Sequence, residues 1–294
     1  MAAPSAPAPA GDLATALRGV RAFVLDADGV LMFRGGPIPG SVAAMETLRR
    51  RAIPYRVVTN YSTTHRDTLA AIFSKATGLP AEPERIITAA SAAAAYTRRH
   101  HPGGGLYVLA SADALREWDG QRVVTPDEAD DDATPVDAVV IGDGGDALSF
   151  RNLDIAFRRL RAGAEFLAMH RNPWWLTRRG PTLDAGSVVA GLEFAVGRRA
   201  LVCGKPSPVV FREAVTELRR DVAAAGGPAL ALREIAMVGD DPSADVAAAR
   251  RVGLRGFLVL TGKTDEAEAA AAARRRVGRD GLAGSLAEIV SALA

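Results

Sequence analysis

Several residue types are scarce in this chain of 294 residues, and each shortage excludes a class of protein. Cys203 is the only cysteine, which excludes a disulfide-stabilised scaffold and any zinc site built on cysteine. The four histidines are too few to predict a histidine-rich metal cluster. No stretch approaches the roughly 18 consecutive apolar residues that a membrane span needs, so we expect no membrane partner.

An excess of charge of one sign is missing as well. The 36 basic and 34 acidic residues leave a formal net charge of +2, and the arginine pairs are scattered among predicted helices and loops. We therefore expect no nucleic-acid partner. Residues 1–11 are almost entirely Ala, Pro, Ser and Gly, without the basic start and apolar core of a secretory signal. We interpret them as a disordered tail and expect a cytoplasmic protein.

Short apolar runs alternate with helical patterns along the rest of the chain. The predicted strands are Arg21–Asp28, Tyr55–Thr59, Leu106–Ala110, Ala138–Ile141, Glu165–Met169, Ala200–Cys203, Ile235–Val238 and Gly256–Leu260. The main predicted helices are Ser41–Arg51 with Ser41 as N-cap, Thr64–Thr77, Asn152–Arg161, Ser187–Val196, Pro208–Ala225 and Ala244–Val252. This alternation predicts an α/β fold with parallel sheets.

Four of the predicted strands end in polar groups. Asp26, Thr59 and Asp240 stand at or just after such ends, and Lys205 follows another strand in the run Gly204-Lys205-Pro206. Because ligands of open α/β sheets bind beyond the carboxyl ends of the strands, this pattern favours an active site.

The first of these groups is a carboxylate pair, Asp26-Ala27-Asp28-Gly29. Alternation along a strand would place Asp26 and Asp28 on one side of it. Two carboxylates that close favour a division of labour, with one as nucleophile or metal ligand and the other as proton donor. An aspartate in a turn before glycine, without any chemical role, is the alternative.

Three further groups suit an anion or a hard cation. Thr59 and Asn60, with Ser62 and Thr63 after them, precede a predicted helix and could bind phosphate or simply cap that helix. Lys205 is one of only three lysines in the chain, and its ammonium can follow phosphoryl charge better than a planar guanidinium. The carboxylates in Gly239-Asp240-Asp241-Pro242-Ser243-Ala244-Asp245 favour Mg²⁺, although Ser243 or Asp245 could instead cap the next helix.

Taken together, these motifs resemble those of the haloacid dehalogenase superfamily. The resemblance implies that Asp26 is the nucleophile, that Asp28 is the proton donor and later the base, and that Thr59 and Lys205 hold the phosphoryl oxygens. It further implies a Mg²⁺ site formed by Asp26, the Asp28 backbone carbonyl and Asp240. Asp245 would support the ion directly or through water. We therefore expect a Mg²⁺-dependent phosphatase acting through an aspartyl phosphate. A phosphotransferase, or a phospholigand-binding protein that is not an enzyme, is the alternative.

Spacing indicates the subclass. Asp28 and Thr59 are 31 residues apart, whereas 146 residues separate Thr59 from Lys205, enough for an inserted second α/β unit. This arrangement resembles subfamily IIA, whose members have a Rossmann-like parallel-sheet core with an α/β C2-type cap. We predict a core at 12–83 and 200–294 and a cap at 84–199.

Residues of the predicted cap bear on the substrate. The run Ala168-Met169-His170-Arg171, followed by Trp174-Trp175, most resembles the phospholysine phosphohistidine inorganic pyrophosphate phosphatases. We predict that Asn60, His170 and Arg171 contact a small phosphorylated substrate, and that Arg178-Arg179 could reach it from a cap loop. Trp174-Trp175 could serve as cap core, lid or dimer surface, which leaves a homodimer through the cap as an open expectation.

Overall fold

The computed structural model describes residues 10–177, 180–262 and 281–293. Its strands are β1 Ala22–Asp26, β2 Met32–Phe33, β3 Gly36–Pro37, β4 Tyr55–Thr59, β5 Ile86–Thr88, β6 Leu106–Leu109, β7 Ala138–Ile141, β8 Glu165–Ala168, β9 Trp174–Thr177, β10 Gly180–Leu183, β11 Leu201–Val202, β12 Ile235–Gly239, β13 Arg255–Val259 and β14 Leu282–Ala283. Its α-helices are α1 Ala10–Leu17, α2 Ser41–Arg50, α3 Arg66–Thr77, α4 Ala89–His100, α5 Ala112–Leu115, α6 Pro126–Asp130, α7 Phe150–Arg161, α8 Ala185–Val196, α9 Pro208–Ala224, α10 Ala248–Arg251 and α11 Leu286–Ser291.

The chain divides into two compact units. The first contains Met1–Thr59, Ala70–Ile86 and Phe211–Ala294, and the second contains Asn60–Leu69 and Ile87–Val210. The domain boundaries drawn from the sequence stay a prediction. The helix α1 begins at Ala10, so the last two residues of the predicted tail are helical, while residues 1–9 lie outside the described residues.

A six-stranded sheet in the order β14-β13-β12-β1-β4-β5 forms the first unit, and the division between the units falls within β5. β1 pairs in parallel with β12 and β4, and β13 pairs in parallel with β12 and β14. All five residues of β1 are buried, as is typical of a central strand covered on both faces.

The second unit has its own parallel sheet, in the order β11-β8-β7-β6. The helices α7 and α8 contribute Ile155, Leu160 and Val189 to the core of this sheet, where each fully buried aliphatic side chain stabilises the fold by about 1.5–3 kcal/mol. An antiparallel hairpin of β9 and β10 belongs to the same unit. The two parallel sheets confirm the predicted α/β class.

Local signals explain most of the helix starts, with one correction. A capping box of Thr88 and Ser91 starts α4, and the Ser149 side chain accepts from the Asn152 amide at the start of α7. The predicted N-cap Ser41 was wrong, because Gly40 occupies that position with a left-handed backbone. The Ser41 hydroxyl instead donates to the Leu31 carbonyl at 2.9 Å.

Candidate active site

Three strands of the first sheet deliver polar groups to its carboxyl edge. Asp26 is the last residue of β1, Thr59 is the last residue of β4, and Asp240 directly follows β12. The parallel register pairs Asp26 with Val58, so Asp26 and Thr59 end neighbouring strands at the same level. All three side chains are buried.

Three buried carboxylates form a cluster at this edge. Asp26, Asp240 and Asp245 each present one oxygen, and these oxygens lie within 4.8 Å of one another. An octahedral Mg²⁺ with bonds of about 2.1 Å holds its ligand oxygens about 3 to 4.2 Å apart. A donor set of carboxylate oxygens, without nitrogen or sulfur, is the kind that this hard cation prefers. The cluster therefore fits the divalent cation expected from the sequence.

Asp28 occupies a different environment from Asp26. β1 ends at Asp26, so the predicted strand to Asp28 was two residues too long and alternation does not place Asp28. Asp28 lies in a tight turn in which the Gly29 amide donates to the Met32 carbonyl at 2.7 Å. Its residue surface is exposed, whereas only 6% of Asp26 is exposed. One carboxylate is thus enclosed and the other is open to water, which suits a nucleophile and a proton carrier respectively.

Two glycines make room for the Asp240 carboxylate. A Cβ atom added at Gly29 or at Gly262 would overlap the Asp240 carboxylate, and Gly29 also has a φ of +82°, which disfavours other residues. The Thr261 hydroxyl donates to the Gly29 carbonyl at 2.6 Å and so joins the loops after β13 and β1. Sequence reasoning missed the roles of Thr261 and Gly262, although these two residues directly follow the predicted strand Gly256–Leu260. Lys263, in the same run, lies outside the described residues.

A widened helical turn positions Asp245. Residues Pro242–Ala247 form a π-helix, and the amides of Asp245 and Val246 both donate to the Asp241 carbonyl. The Asp241 side chain accepts from the amides of Ser243 and Ala244, so it caps this turn. In return, the Asp241 amide donates to Asp245 Oδ2 at 3.1 Å.

These observations correct two sequence predictions. The predicted α-helix Ala244–Val252 is a π-turn followed by the short helix α10. Its cap is Asp241, whereas the sequence suggested Ser243 or Asp245. Because Asp241 caps the turn, the Asp245 carboxylate can lie in the buried cluster with Asp26 and Asp240.

In the second unit, Asn60 fixes the backbone of Lys205. Asn60 Oδ1 accepts from the Lys205 amide at 2.7 Å, and Asn60 Nδ2 donates to the Lys205 carbonyl at 3.0 Å. Asn60 therefore positions Lys205, since both polar atoms of its side chain bond to the Lys205 backbone, and its contact with substrate stays a prediction. Lys205 is itself buried, with 6% of its surface exposed. Its assigned contact with phosphoryl oxygens stays a prediction.

His170 is buried inside the second unit, with 2% of its surface exposed. Its Nδ1 accepts from the Asn172 amide at 3.3 Å, so Nε2 carries the proton in the neutral ring. That Nε2–H donates to the Ser62 hydroxyl at 2.8 Å, and the Asp184 carboxylate lies 3.6 Å from the same nitrogen. Burial lowers the pKa of His170, an effect opposed by the charges of Asp184 and Asp143.

This geometry excludes a serine–histidine–aspartate triad at these residues. A general base needs an unprotonated nitrogen towards the serine, whereas the nitrogen that faces Ser62 carries the proton. His170 therefore holds Ser62 in place, and the substrate contact predicted for it from the sequence stays a prediction.

Arg171 also has partners within its own unit. Its guanidinium forms an ion pair of 2.7 Å with the buried Glu193, which accepts a second arginine, Arg199, at 2.7 Å. Arg171 therefore neutralises a buried carboxylate of its own unit, and its predicted contact with substrate stays a prediction. Arg178 and Arg179 lie outside the described residues.

Among residues 10–177, 180–262 and 281–293, no helix combines the length and apolar composition needed to cross a membrane.

Comparison with known proteins identifies the family of the chain. The family model described as haloacid dehalogenase-like hydrolase matches residues 23–122, and one described as HAD-hydrolase-like matches residues 202–288. Haloacid dehalogenase-like hydrolase domain-containing protein 2 of Mus musculus is 31% identical over 86% of this chain and 89% of its own length. Phospholysine phosphohistidine inorganic pyrophosphate phosphatase of Bos taurus is 31% identical over 94% of this chain and 95% of its own length.

Solved structures with the same fold point to the same family. The p-nitrophenyl phosphatase from Archaeoglobus fulgidus has a TM-score of 0.79 and 28% identity, and the match covers 93% of this chain and 99% of that one. NagD from E. coli K-12 has a TM-score of 0.77 and 25% identity, with 92% and 98% covered. The fold and site define an α/β hydrolase with an acidic centre. The chain belongs to the haloacid dehalogenase-like hydrolases of subfamily IIA, and it is a phosphatase.

Proposed function

We propose that the chain is a Mg²⁺-dependent phosphatase that hydrolyses a small phosphorylated metabolite through a phosphoryl intermediate on Asp26. The observation that carries the proposal is the buried cluster of Asp26, Asp240 and Asp245, whose oxygens lie within 4.8 Å of one another. Three enclosed carboxylates repel one another strongly, and a divalent cation relieves that repulsion.

Asp26, Asp240 and Asp245 would hold the Mg²⁺ ion, together with the Asp28 carbonyl that the family resemblance adds. When bound, the ion neutralises charge on the phosphoryl group and on its oxygen nucleophile.

The remaining chemistry belongs to the two aspartates of the first loop. A carboxylate oxygen of Asp26 attacks phosphorus, and the bond from phosphorus to the ester oxygen breaks. The Asp28 carboxyl group gives its proton to the leaving oxygen, which departs as the alcohol. Water then attacks the phosphorus of the aspartyl phosphate, Asp28 takes the proton of that water, and the bond to Asp26 breaks to release inorganic phosphate.

The substitution Asp26→Asn tests this reaction. We expect phosphate release from p-nitrophenyl phosphate to fall by about 1,000-fold or more, because an amide oxygen is a poor nucleophile. Circular dichroism should show an unchanged fold. The control Asp132→Asn, at a side chain that is 96% exposed, should keep full activity. An Asp26→Asn enzyme with wild-type turnover would refute the nucleophilic role.

A second measurement separates hydrolysis from phosphoryl transfer. The wild-type enzyme is assayed in the presence of competing alcohols, and its products are analysed. A phosphatase gives inorganic phosphate as the main product, whereas dominant formation of new phosphate esters would contradict the proposal.

A further inference from the structure

The second sheet has polar side chains along its own carboxyl edge. In the order β11-β8-β7-β6, the register places the last residues of the four strands side by side: Val202, Ala168, Ile141 and Leu109. Within three residues of these positions the chain reaches Lys205, His170, Asp143 and Ser111, which all belong to the second unit. Because ligands of open α/β sheets bind beyond the carboxyl ends of the strands, this edge is a candidate for substrate contact.

Asp143, which follows β7, has no cationic partner at this edge. Its carboxylate is partly buried and accepts a long hydrogen bond of 3.5 Å from the Gly145 amide. In the part of the chain that the structure describes, no arginine, lysine or histidine forms an ion pair with Asp143.

The neighbouring histidine does not balance this charge. Burial lowers the pKa of His170, so its ring is neutral, and the Asp184 carboxylate adds a second negative charge 3.6 Å from that ring. Carboxylates that are partly removed from water are stabilised by an opposite charge. The edge beside β7 is therefore suited to a cationic group of a ligand.

The loop that carries Asp143 is held close to the sheet. The Gly142 amide donates to the Leu109 carbonyl at 2.9 Å, and the Asp143 carbonyl accepts from the Ser111 amide at 3.2 Å, so the pairing of β6 with β7 continues to Asp143. A Cβ atom added at Gly142 would overlap the Met169 side chain, which follows β8. Backbone contacts therefore fix the position of Asp143, and little ordering is needed when a ligand binds.

The residue expected to bind the phosphoryl group lies at the same edge. The Ser111 hydroxyl donates to the Thr63 carbonyl at 2.5 Å, and Thr63 is close in sequence to Asn60, whose side chain holds the Lys205 backbone. Asp143 and Lys205 follow strands that are two positions apart in the sheet, a separation of about 10 Å. One small ligand can therefore reach both side chains if its phosphoryl group and its cation lie within about 10 Å of each other.

We propose that Asp143 is a specificity-determining residue that binds an ammonium group of the substrate, so that the preferred substrates are small phosphorylated amines. This inference rests on the proposed phosphatase function, since it names the substrate class of that reaction. A hydrogen bond between a carboxylate and an ammonium group is charge-assisted and about twice as strong as a neutral one. We expect an ester with an ammonium group to exceed its uncharged analogue by about 10- to 100-fold in kcat/KM.

Three phosphate esters of equal chain length test the proposal: aminobutyl phosphate, hydroxybutyl phosphate and butyl phosphate. The wild-type enzyme should have its highest kcat/KM for aminobutyl phosphate, and added NaCl should reduce this preference because salt screens partly exposed charges. Asp143→Asn should remove most of the preference, and Asp143→Glu should keep part of it. The control Asp146→Asn makes the same change of charge at an exposed residue of the same loop, and it should keep the wild-type preference.

Three outcomes would overturn the proposal. The first is equal kcat/KM of the wild-type enzyme for all three esters. The second is a preference for hydroxybutyl phosphate, which would mean that Asp143 accepts from a hydroxyl group and not from a cation. The third is an equal loss of preference in Asp143→Asn and Asp146→Asn, which would mean that the charge of the loop acts without a specific contact.

Binding of phosphonates gives a readout that does not depend on turnover. Aminopentylphosphonate and pentylphosphonate have carbon in place of the ester oxygen, so this reaction cannot cleave them. Calorimetric titration with Mg²⁺ present should show tighter binding of aminopentylphosphonate to the wild type and to Asp146→Asn, and similar binding of both ligands to Asp143→Asn. This pattern without phosphate release from any ester would support the cation site and contradict the proposed phosphatase function. Equal binding of both ligands to the wild type would overturn the cation site even if the esters were hydrolysed.

Discussion

Gly262→Ala probes the acidic cluster without altering any acidic residue. The new methyl group would overlap the Asp240 carboxylate, so either that side chain or the loop after β13 must move. We expect the carboxylate to retreat by about 1 Å to relieve this overlap. Misplacement of a catalytic group on that scale can cost about 100-fold in rate. Disturbing the support of a metal ligand typically weakens metal binding by about 10- to 100-fold. We therefore expect a higher Mg²⁺ concentration for half-maximal activity and a lower turnover number.

The assay is a Mg²⁺ titration of p-nitrophenyl phosphate hydrolysis, supported by calorimetric titration of Mg²⁺ into the protein without substrate. Gly36→Ala is the matched control, because a Cβ atom at Gly36 meets nothing within 4 Å. Its titration curve should superimpose on that of the wild type. If Gly262→Ala also bound Mg²⁺ and turned over like the wild type, the reasoning that connects Gly262 with the cluster through Asp240 would be wrong.

Two further predictions concern the second unit. Lys205→Ala should lower kcat/KM by about 100-fold or more, because the family resemblance gives this ammonium a role in the transition state. The control Lys75→Ala, at an exposed position of α3, should leave kcat/KM unchanged. Equal effects of the two substitutions would refute the special role of Lys205. The lowered pKa of His170 means that the unfolded chain binds a proton at this residue more readily than the folded chain does. The contribution of His170 to the free energy of unfolding should therefore be fully present above about pH 6.5 and decrease as the pH falls below that value. The free energy of unfolding, measured in urea between pH 5 and 8, should depend less on pH in His170→Gln than in the wild type. The control His100→Gln, at an exposed site, should behave like the wild type. An unchanged pH dependence in His170→Gln would contradict the assignment of this effect to His170.

The carboxyl ends of the central strands could be predicted from the sequence because their signals are local. Continuous apolar runs indicate β1, β4 and β12, and the residues that follow such runs must lie at one edge of a parallel sheet. Asp26 and Asp240 lie at one edge for that reason, whereas Asp245 joins them through the π-turn that follows β12. The placement of Asp26 and Asp240 needed only the periodicity of the chain and polar residues at the strand ends, whereas the joint Mg²⁺ site with Asp245 came from the family resemblance.

The remaining features depend on contacts between distant segments. His170 follows a strand, as the catalytic candidates do. Only the fold shows that its two ring nitrogens form hydrogen bonds with Ser62 and the Asn172 amide. The partnership of Asn60 with Lys205 joins residues 145 positions apart. Gly262 clears space for a side chain from another strand, which no local pattern could reveal. The β9–β10 hairpin was missed because Trp174-Trp175 also suits a packed core.

The π-turn at Pro242–Ala247 makes ligand identity a matter of backbone hydrogen-bond register as well as residue type. An α-helical turn has 3.6 residues, and a π-turn fits one more residue into the same turn. Asp245 owes its direction to that extra residue. A deletion of Ser243 or Ala244 would keep every aspartate of the motif and yet swing the last carboxylate about 100° round the helix axis. Two chains with the same acidic residues can therefore differ in metal binding through one inserted residue that touches no metal.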